Sequence, residues 1–369
     1  MKPIILLILL FAGVACHRNR NDINVDLGND SLAVCYNKGF LKKVSEADQI
    51  GKLFQLKKSI NLETKDESLI GEIEEIIYIP EKNRIIVFDK SVAKMVFVFD
   101  TSGKYLHRIG VHGKAGGEYL APKAIAYNDG KVAIYDMGFK LMLFDLDGSF
   151  IKEVKFNSEK WRFSIDKLFL WNNKIYGYTI NRDFCLGQDG KKHRVFILTD
   201  DFNLSSSVGE FEETYDFGDG DITLFNNRIT YSGIFNGKIY QIGASENSEN
   251  VFFSFGSLAN LENLKYGDNH LQYIFSHFDE IDSIVDMMEI KNLLFVRRHN
   301  KISVITNNGI LVNNDIAFNR LELPKNYEGY AARRGILFYN CGIIVATIDK
   351  SKIRLSTVPN PTLLFYEIK

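Results

Sequence analysis

Apolar residues along this chain fall into short runs that return at a nearly constant spacing. Residues 96–100 read Val-Phe-Val-Phe-Asp and residues 141–145 read Leu-Met-Leu-Phe-Asp, so the two closing aspartates lie 45 residues apart. Residues 85–89 (Ile-Ile-Val-Phe-Asp) recur 47 residues later as residues 132–136 (Val-Ala-Ile-Tyr-Asp). Runs of β-branched and aromatic residues are typical of buried strands, and a repeat of this length is typical of β-propeller blades.

A turn signal follows the second run of each repeat. Asp100 and Gly103 recur as Asp145 and Gly148, and further apolar residues follow both glycines. This spacing predicts a hairpin in which Gly takes a positive φ and the Asp side chain caps the turn. Four later units are more degenerate and contain strand-like runs within residues 195–211, 227–255, 284–309 and 335–367.

The two ends of the chain complete the count of strands. The sixth unit reaches the C-terminus with three strands, while residues 53–63 precede the first unit without a partner. We expect this N-terminal segment to pair with the C-terminal strand, because a closed ring leaves no exposed sheet edge. The sequence therefore predicts an all-β fold: a six-bladed β-propeller of four-stranded blades, closed by an N-terminal strand that joins the last blade.

The first fifteen residues have the pattern of an export signal. Lys2 precedes an apolar run at residues 4–11, which is too short to span a bilayer, and small residues then lead to Cys16. A small residue directly before a cysteine resembles the lipobox of bacterial lipoproteins, in which Cys16 would carry the lipid anchor; a plain secretory signal is the alternative. We thus divide the chain into a signal peptide (1–15), a lipidated Cys with a tether and N-terminal segment (16–50), and the propeller (51–369).

Composition narrows the class of partner. Lys and Arg total 45 against 46 Asp and Glu, so no basic excess is present to neutralise phosphates, and nucleic acid is not an expected partner. The cysteines Cys35, Cys185 and Cys341 show no metal-ligand spacing, and the seven histidines show none either. We predict no cofactor and no metal on local spacing, although ligands that converge from different blades would escape such a test.

Residues 108–122 carry a resemblance to a known family. They read Arg-Ile-Gly-Val-His-Gly-Lys-Ala-Gly-Gly-Glu-Tyr-Leu-Ala-Pro, and with the strands that follow they resemble an NHL-type propeller repeat. The whole chain is similar to six-bladed β-propeller lipoproteins of Bacteroidetes. That resemblance implies the fold and a location in the bacterial cell envelope, where we expect the periplasmic side of a membrane rather than the cell surface.

In propellers, the loops that lead into each innermost strand gather at one channel mouth with the loops that join the second and third strands. Arginine and aromatic side chains there suit carboxylates and sugars. The tentative ligand-binding residues are His112, Glu118, Tyr119, Arg182, Asp183, Arg298, His299, Tyr330, Arg333 and Arg334. Solvated loops with no common ligand are the alternative, and for Arg333 and Arg334 so is a surface charge pair.

Two functions remain open from the sequence. The first is a non-catalytic binding module, anchored to the envelope by lipid, for a glycan, a peptide or an envelope protein. The second is a metal-assisted lyase or hydrolase that acts on an extracytoplasmic substrate, as some NHL-type propellers do. No Gly-x-Ser-x-Gly nucleophile motif occurs, and we favour the binding module.

Overall fold

A computed structural model describes residues 22–23, 36–156, 163–180, 185–187, 189–211, 220–233, 236–256, 282–298, 301–317, 337–338, 344–348 and 360–369. The protein is an all-β propeller with four-stranded antiparallel blades. Within the described residues no helix has both the length and the apolar character needed to cross a membrane.

The N-terminal region contributes short elements and one long strand. They are β1 (Asp22–Ile23), β2 (Tyr36–Asn37), α1 (Lys38–Ser45), α2 (Ile50–Leu53) and β3 (Phe54–Asn61). β1 pairs with β2, and two 3₁₀ turns follow β3 at Asp66–Ser68 and Pro80–Lys82.

Five blades consist of strands that are consecutive in sequence, each paired with the next in antiparallel order. The first contains β4 (Glu75–Ile79), β5 (Arg84–Asp89), β6 (Met95–Phe99) and β7 (Tyr105–Ile109). A two-stranded parallel ladder of β8 (Val111–His112) and β9 (Glu118–Tyr119) leads to the second. The second contains β10 (Pro122–Asn128), β11 (Lys131–Asp136), β12 (Lys140–Asp145) and β13 (Phe150–Lys155).

The third blade contains β14 (Lys167–Trp171), β15 (Lys174–Tyr178), β16 (His193–Thr199) and β17 (Leu204–Glu210). The fourth contains β18 (Ile222–Phe225), β19 (Arg228–Ser232), β20 (Lys238–Ile242) and β21 (Glu249–Ser254). The fifth contains β22 (Ile284–Ile290), β23 (Leu293–Arg298), β24 (Lys301–Thr306) and β25 (Leu311–Ala317).

The remaining strands form a terminal sheet from both ends of the chain. They are β26 (Leu337–Phe338), β27 (Ile344–Ile348) and β28 (Thr362–Ile368), and the sheet order is β26-β27-β28-β3. β3 is antiparallel to β28, with Ile60 opposite Leu363 and Phe54 opposite Ile368. The described residues thus contain five blades of consecutive strands, whereas the sequence predicted six blades, and the remaining four strands form the terminal sheet.

The hairpins between third and fourth strands have the geometry that the repeat predicted. Gly103 takes φ 93° and its N–H donates to the Asp100 carbonyl (2.9 Å), while Asp100 Oδ1 accepts the backbone N–H of Ser102 and of Lys104. Gly148 repeats this arrangement: its φ is 89°, and its N–H donates a hydrogen bond to the Asp145 carbonyl (3.1 Å). The Asp-x-x-Gly interpretation is therefore confirmed in both units.

Apolar faces of adjacent sheets pack on each other to form the core. Inward residues of the first two blades, among them Phe88, Val98, Ile134 and Phe144, make one buried cluster. Buried residues of the terminal sheet, including Leu364, join a cluster shared with the first and fifth blades. Each sheet is thus covered on its faces by neighbours, as sheet-on-sheet packing requires.

The two N-terminal helices pack on the fifth blade. Val44 and Ile50 are buried in the cluster shared with β25. The Asn313 side-chain amide of β25 donates to the carbonyl of Val44 (2.9 Å) and to that of Ala47 (2.8 Å). Residues 38–53 therefore belong to the folded body, although the sequence assigned most of them to the tether and N-terminal segment.

We predict that deleting residues 363–369 destabilises the protein strongly. This truncation removes most of β28, leaves β3 without its partner, and exposes the core that Leu364 and Phe365 fill. Loss of several large buried side chains should lower the free energy of unfolding by more than about 5 kcal/mol. Chemical denaturation followed by circular dichroism measures this effect.

Lys57→Ala is the matched control, since it keeps the β3 backbone and removes only a side chain that forms a largely exposed ion pair with Glu367 (2.8 Å). Such a pair contributes about 1 kcal/mol or less. An unchanged midpoint and slope in the truncated protein would contradict the assigned role of β28.

Candidate functional site

We call the end of the propeller at which each first strand begins the mouth face. At this face, a buried carboxyl group holds the loops of the first blade in place. Asp89, the last residue of β5, is fully buried. Its Oδ2 accepts the N–H of Gly71 (2.7 Å) and of Glu72 (3.0 Å), which lie in the loop leading into β4. Its Oδ1 accepts the N–H of Val92 (2.9 Å) and of Ala93 (3.0 Å), in the loop between the second and third strands. We call this arrangement the carboxylate clasp.

The second blade repeats the clasp at the equivalent position. Asp136 ends β11 and is 2% exposed. Its Oδ1 accepts the N–H of Leu120 (3.1 Å) and of Ala121 (2.6 Å), in the loop that leads into β10. These are the aspartates that closed the repeated runs in the sequence, so the repeat encodes the anchoring of the mouth-face loops.

Later blades connect the same two loops with other groups. In the third blade, Asp166 lies before the first strand, and its Oδ2 accepts the Thr179 hydroxyl (3.0 Å) after the second strand. In the fourth, the Ser232 hydroxyl oxygen accepts the Asp221 N–H (3.0 Å). In the fifth, Arg298 pairs with Asp282 (3.0 Å). A contact between these two loops is thus present in all five blades, but the groups that form it differ from blade to blade.

Just inside the mouth face lies a cavity of about 250 Å³, which we call the channel cavity. Residues at or next to the first strands of all five blades line it, and first strands of neighbouring blades lie side by side around the axis. Its charged lining consists of Glu74, Glu75, Lys123, Asp166, Lys167, Asp221, Asp286 and Arg297. Five carboxyl groups therefore face three cationic groups.

One group of these charges links three blades. Lys167 Nζ of β14 is 3.0 Å from Asp221 Oδ1, which precedes β18. Asp221 Oδ2 accepts the backbone N–H of Met287 in β22 (2.8 Å). Arg297 NH2 lies 4.0 Å from Asp286 Oδ2. The Asp221 carboxylate thus fixes the relative positions of the first strands of the third, fourth and fifth blades.

A second group links the second and third blades. Lys123 Nζ lies 2.6 Å from Asp166 Oδ1 and donates to the Ser164 hydroxyl oxygen (2.8 Å). Asp166 therefore serves both the channel and the contact with Thr179. Glu75 differs from the other carboxyl groups of the cavity. Among the described residues, its side-chain carboxyl forms no hydrogen bond and no ion pair within 4 Å.

Burial and crowding shift the titration of this cluster. Burial raises the pKa of Glu75 to about 8, against a weaker opposing effect of Lys167. Burial and the nearby Asp221 carboxyl raise the pKa of Asp286. Burial alone would lower the pKa of Lys167, but Asp221 and Asp286 outweigh it and raise that pKa. Near neutral pH the Glu75 carboxyl can therefore donate a hydrogen bond, beside carboxylate acceptors and ammonium donors in the same cavity.

This chemistry suits recognition of polar groups by hydrogen bonding and charge. Among the described residues, no group of three or more His, Cys, Asp or Glu side chains is arranged to hold a metal ion. Cys185 is buried in the apolar core between the second and third blades.

A second, more open cavity of about 720 Å³ lies at the opposite end of the channel. It is lined by first strands and hairpin turns, with Glu289, Lys291 and Glu367 as its charged residues. The smaller channel cavity has eight charged groups in about a third of that volume, and for this reason we regard it as the candidate site.

The predicted site residues of the first crossover lie on the mouth face but outside the cavity lining. His112 is exposed, and Glu118 Oε2 accepts the N–H of Ala115 (2.8 Å) within its own loop. Tyr119 is fully buried: its hydroxyl donates to the Ile109 carbonyl (2.9 Å) and accepts the Val96 N–H (3.3 Å). The tyrosine therefore stabilises the crossover in this structure and is closed to a ligand.

Arg298 also has a structural environment. Besides Asp282, its guanidinium donates to the Asn314 side-chain oxygen (2.9 Å) and stacks on the Phe255 ring at 4.7 Å. The other predicted residues lie outside the described residues; they are Arg182, Asp183, His299, Tyr330, Arg333, Arg334 and the lipidation site Cys16.

Sequence reasoning selected loops of the mouth face and did not select the residues that line the channel cavity. A repeat-aligned signal was present, because charged residues stand at or next to the start of the apolar first strands. Examples are Glu75 before Ile-Ile, Lys167 before Leu-Phe and Asp221 before Ile-Thr. A charge that opens an otherwise apolar strand in several repeats indicates convergence on the propeller axis.

Fold and cavity together define a β-propeller with a mixed-charge central channel. Residues 42–326 match the family described as "Domain of unknown function (DUF4934)", and the chain belongs to that family. No curated protein matches it.

Two solved structures are similar. One, from Bacteroides fragilis NCTC 9343 and named "Putative exported protein", is 18% identical, covers 87% of this chain and 97% of its own, and has a TM-score of 0.64, a likeness that shows the fold. The other, named "Structure of U3-55K", is 11% identical with a TM-score of 0.47, covering 79% of this chain and 77% of its own.

We predict that Glu75→Gln stabilises the protein at high pH. Between pH 4.5 and pH 8 the unfolded chain loses the Glu75 proton while the folded protein keeps it, so this group makes folding less favourable as pH rises. Gln is neutral throughout. The free energy of unfolding should rise by about 1–3 kcal/mol at pH 8 and by less than about 1 kcal/mol at pH 5.

Urea denaturation at the two pH values measures the difference. Glu74→Gln is the control, since the neighbouring Glu74 side chain is exposed and meets Lys90 in a solvent-facing pair. Equal effects of the two substitutions at both pH values would contradict the assignment of a raised pKa to Glu75.

Proposed function

We propose that this protein is an exported, lipid-anchored binding module of the bacterial cell envelope, a closed six-bladed propeller whose channel mouth binds a glycan, a peptide or an envelope protein. The observation that carries the proposal is the mixed-charge channel cavity. Replacing a buried ion pair by apolar groups often costs nothing or even stabilises a protein, so fold stability alone does not account for the charges that are largely removed from solvent here, among them Lys123, Asp166 and Asp221. A polar ligand would use them.

Two repeated features support the assignment of the terminal sheet as a sixth blade. All five blades have a register irregularity between their third and fourth strands, and β28 and β3 have one too, between Phe365 and Tyr366. In the second blade, Gly148 packs against the Arg108 carbonyl of the preceding fourth strand, and Gly103 of the first blade packs likewise against the Asn61 carbonyl of β3. Both features support a closed ring in which β3 serves as the fourth strand of the last blade.

The envelope location rests on the N-terminal sequence. Residues 1–15 have the pattern of an export signal, and Cys16 follows a small residue as lipidated cysteines do. The similar Bacteroides structure is named as an exported protein, which agrees with this address. In this proposal the lipid anchor holds the propeller on the periplasmic side of a membrane. The proposal also treats the 45-residue offset between the first two units as an NHL-like repeat.

The ligand chemistry follows from the lining. Ammonium groups, carboxylates and a protonated carboxyl supply donors and acceptors for hydroxyl, amide or charged groups. The predicted residues of neighbouring mouth-face loops belong to the same proposal as a second ring of contacts; they are Arg182, Asp183, His299, Tyr330, Arg333 and Arg334.

We predict that binding depends on the channel carboxyls. Protein that begins at Asn21 is screened against glycan and peptide arrays, and hits are measured by calorimetry for the wild type, Asp286→Asn and Arg333→Ala. Loss of a channel charge should weaken binding by about 1–3 kcal/mol. Glu210 lies on the fourth strand of the third blade and forms an exposed ion pair with Lys191. The Glu210→Gln variant breaks this pair and should bind as the wild type does.

Two results would contradict the proposed function. One is a ligand that binds Asp286→Asn and the wild type equally. The other is an absence of binding to every glycan and peptide up to about 1 mM, where even weak specific recognition is detectable.

We predict that Cys16→Ala abolishes membrane attachment. The anchored form should fractionate with membranes and incorporate labelled palmitate, because two or more acyl chains hold a protein stably in a bilayer. Cys16→Ala should lose both properties, whereas Cys35→Ala should keep them. A soluble wild-type protein without label would favour the plain secretory signal.

A further inference from the structure

Large apolar side chains are exposed on the mouth face of the first three blades. They lie in the loops that lead into first strands or join second to third strands. Six such residues are between 40% and 65% exposed: Leu69, Val92, Val111, Leu120, Met137 and Leu186. We call them the apolar rim. Single exposed apolar residues are ordinary, but a concentration of them on one face of three successive blades marks an interaction surface.

The opposite face of the same blades shows that the fold does not require such residues in its turns. In these three blades the turns between first and second strands contain Asn83, Asp129, Gly130, Asn172 and Asn173. These are the polar residues and glycine that turns ordinarily use. The two faces have the same architecture and differ in chemistry, so the apolar rim is a property of the mouth face.

The backbone of the rim is held by the carboxylate clasps. Asp89 binds the N–H of Val92, and Asp136 binds the N–H of Leu120. The N–H of Met137 donates to the Ala121 carbonyl at 3.0 Å. A surface fixed in this way loses little conformational entropy on binding, which favours affinity.

Charge complementarity decides what fits between the rim and the channel. The cavity beneath the rim is lined by five carboxyl groups and three cationic groups. The Glu75 carboxyl has no hydrogen bond or ion pair among the described residues and keeps its proton near neutral pH, but an ammonium group placed beside it would favour its ionised form. A lysine side chain combines an apolar stem with an ammonium that donates three hydrogen bonds. The rim side chains are aliphatic rather than aromatic, which does not favour sugar stacking, and none of the six is a cation that would attract anionic lipid.

We propose that the mouth face docks a peptide segment of a partner protein in which apolar residues flank a lysine. The apolar residues pack on the rim, and the lysine ammonium enters the channel cavity beside Glu75 and Asp286. This inference rests on the proposed function and assigns one of its three ligand classes to the site.

The test uses a random library of peptides of about nine residues, a length that spans such a surface. Protein that begins at Asn21 is immobilised, and enriched peptides are synthesised with the lysine intact or replaced by norleucine. We expect enrichment of lysine between Leu, Val, Met or Phe residues. The norleucine peptide should bind the wild type about tenfold more weakly, and Asp286→Asn should reduce that ratio.

Matched variants separate the rim from general surface hydrophobicity. Met137→Glu should weaken binding of the lysine peptide about tenfold. Val251→Glu makes the same kind of change at a residue 53% exposed on the outer strand of the fourth blade, and should leave binding unchanged. Both variants are surface changes, and their unfolding midpoints verify that they fold.

Several outcomes would overturn the inference. They are enrichment of acidic or lysine-free peptides, equal binding of the lysine and norleucine peptides, equal effects of the two glutamate variants, and retention of the protein by vesicles of anionic phospholipid. A glycan that requires Asp286 but not Met137 would overturn this inference and leave the proposed function intact.

Discussion

The carboxylate clasp is the interaction on which the rest of the mouth face depends. Each buried Asp of the first two blades receives backbone N–H donors from two loops, the one that leads into the first strand and the one that joins the second and third strands. A hydrogen bond to a charged group contributes about 1.5–3 kcal/mol, and an orphaned buried N–H costs about as much. Without Asp89 the loops on either side of β5 would lose both their position and their hydrogen bonds. The channel, the rim and the crossover all begin where these loops end.

Charge pairs replace apolar packing at the axis of the propeller. First strands converge there, and side chains that point to the axis have limited space and partial access to water. Lys167 of the third blade and Asp221 of the fourth blade neutralise each other. The second carboxylate oxygen of Asp221 accepts the backbone N–H of Met287 in the fifth blade. Such a network specifies the relative position of sheets, because its donors and acceptors are satisfied in only one arrangement. Glu75 lies outside this compensation, and burial raises its pKa in consequence.

The sequence predicted those parts of the structure that repeat with small variation. The strand runs, the Asp-x-x-Gly hairpin at Asp100 and Gly103, and the gathering of loops at one mouth follow from local periodicity and turn chemistry. The lining of the cavity did not, because Glu75, Lys167 and Asp221 each look like an ordinary charge at a strand end until the blades are superposed. Tyr119 is a different case. Its position in a loop at the mouth made it a candidate ligand-binding residue, whereas in the structure its ring fills a crossover and hydrogen-bonds to the backbone on both sides.

The clasp also explains why the mouth face has two chemically distinct zones. Because Asp89 and Asp136 bind the loop backbone, loop side chains such as Val92 and Met137 remain at the solvent side. Side chains at the starts of the first strands instead face the axis, where the charges lie. An isolated ion would interact only with the inner zone, and a flat apolar surface only with the outer one. A ligand that gains from both must extend from an apolar contact at the rim to a polar group at the axis, and this geometry is what distinguishes the mouth face from the opposite end of the channel.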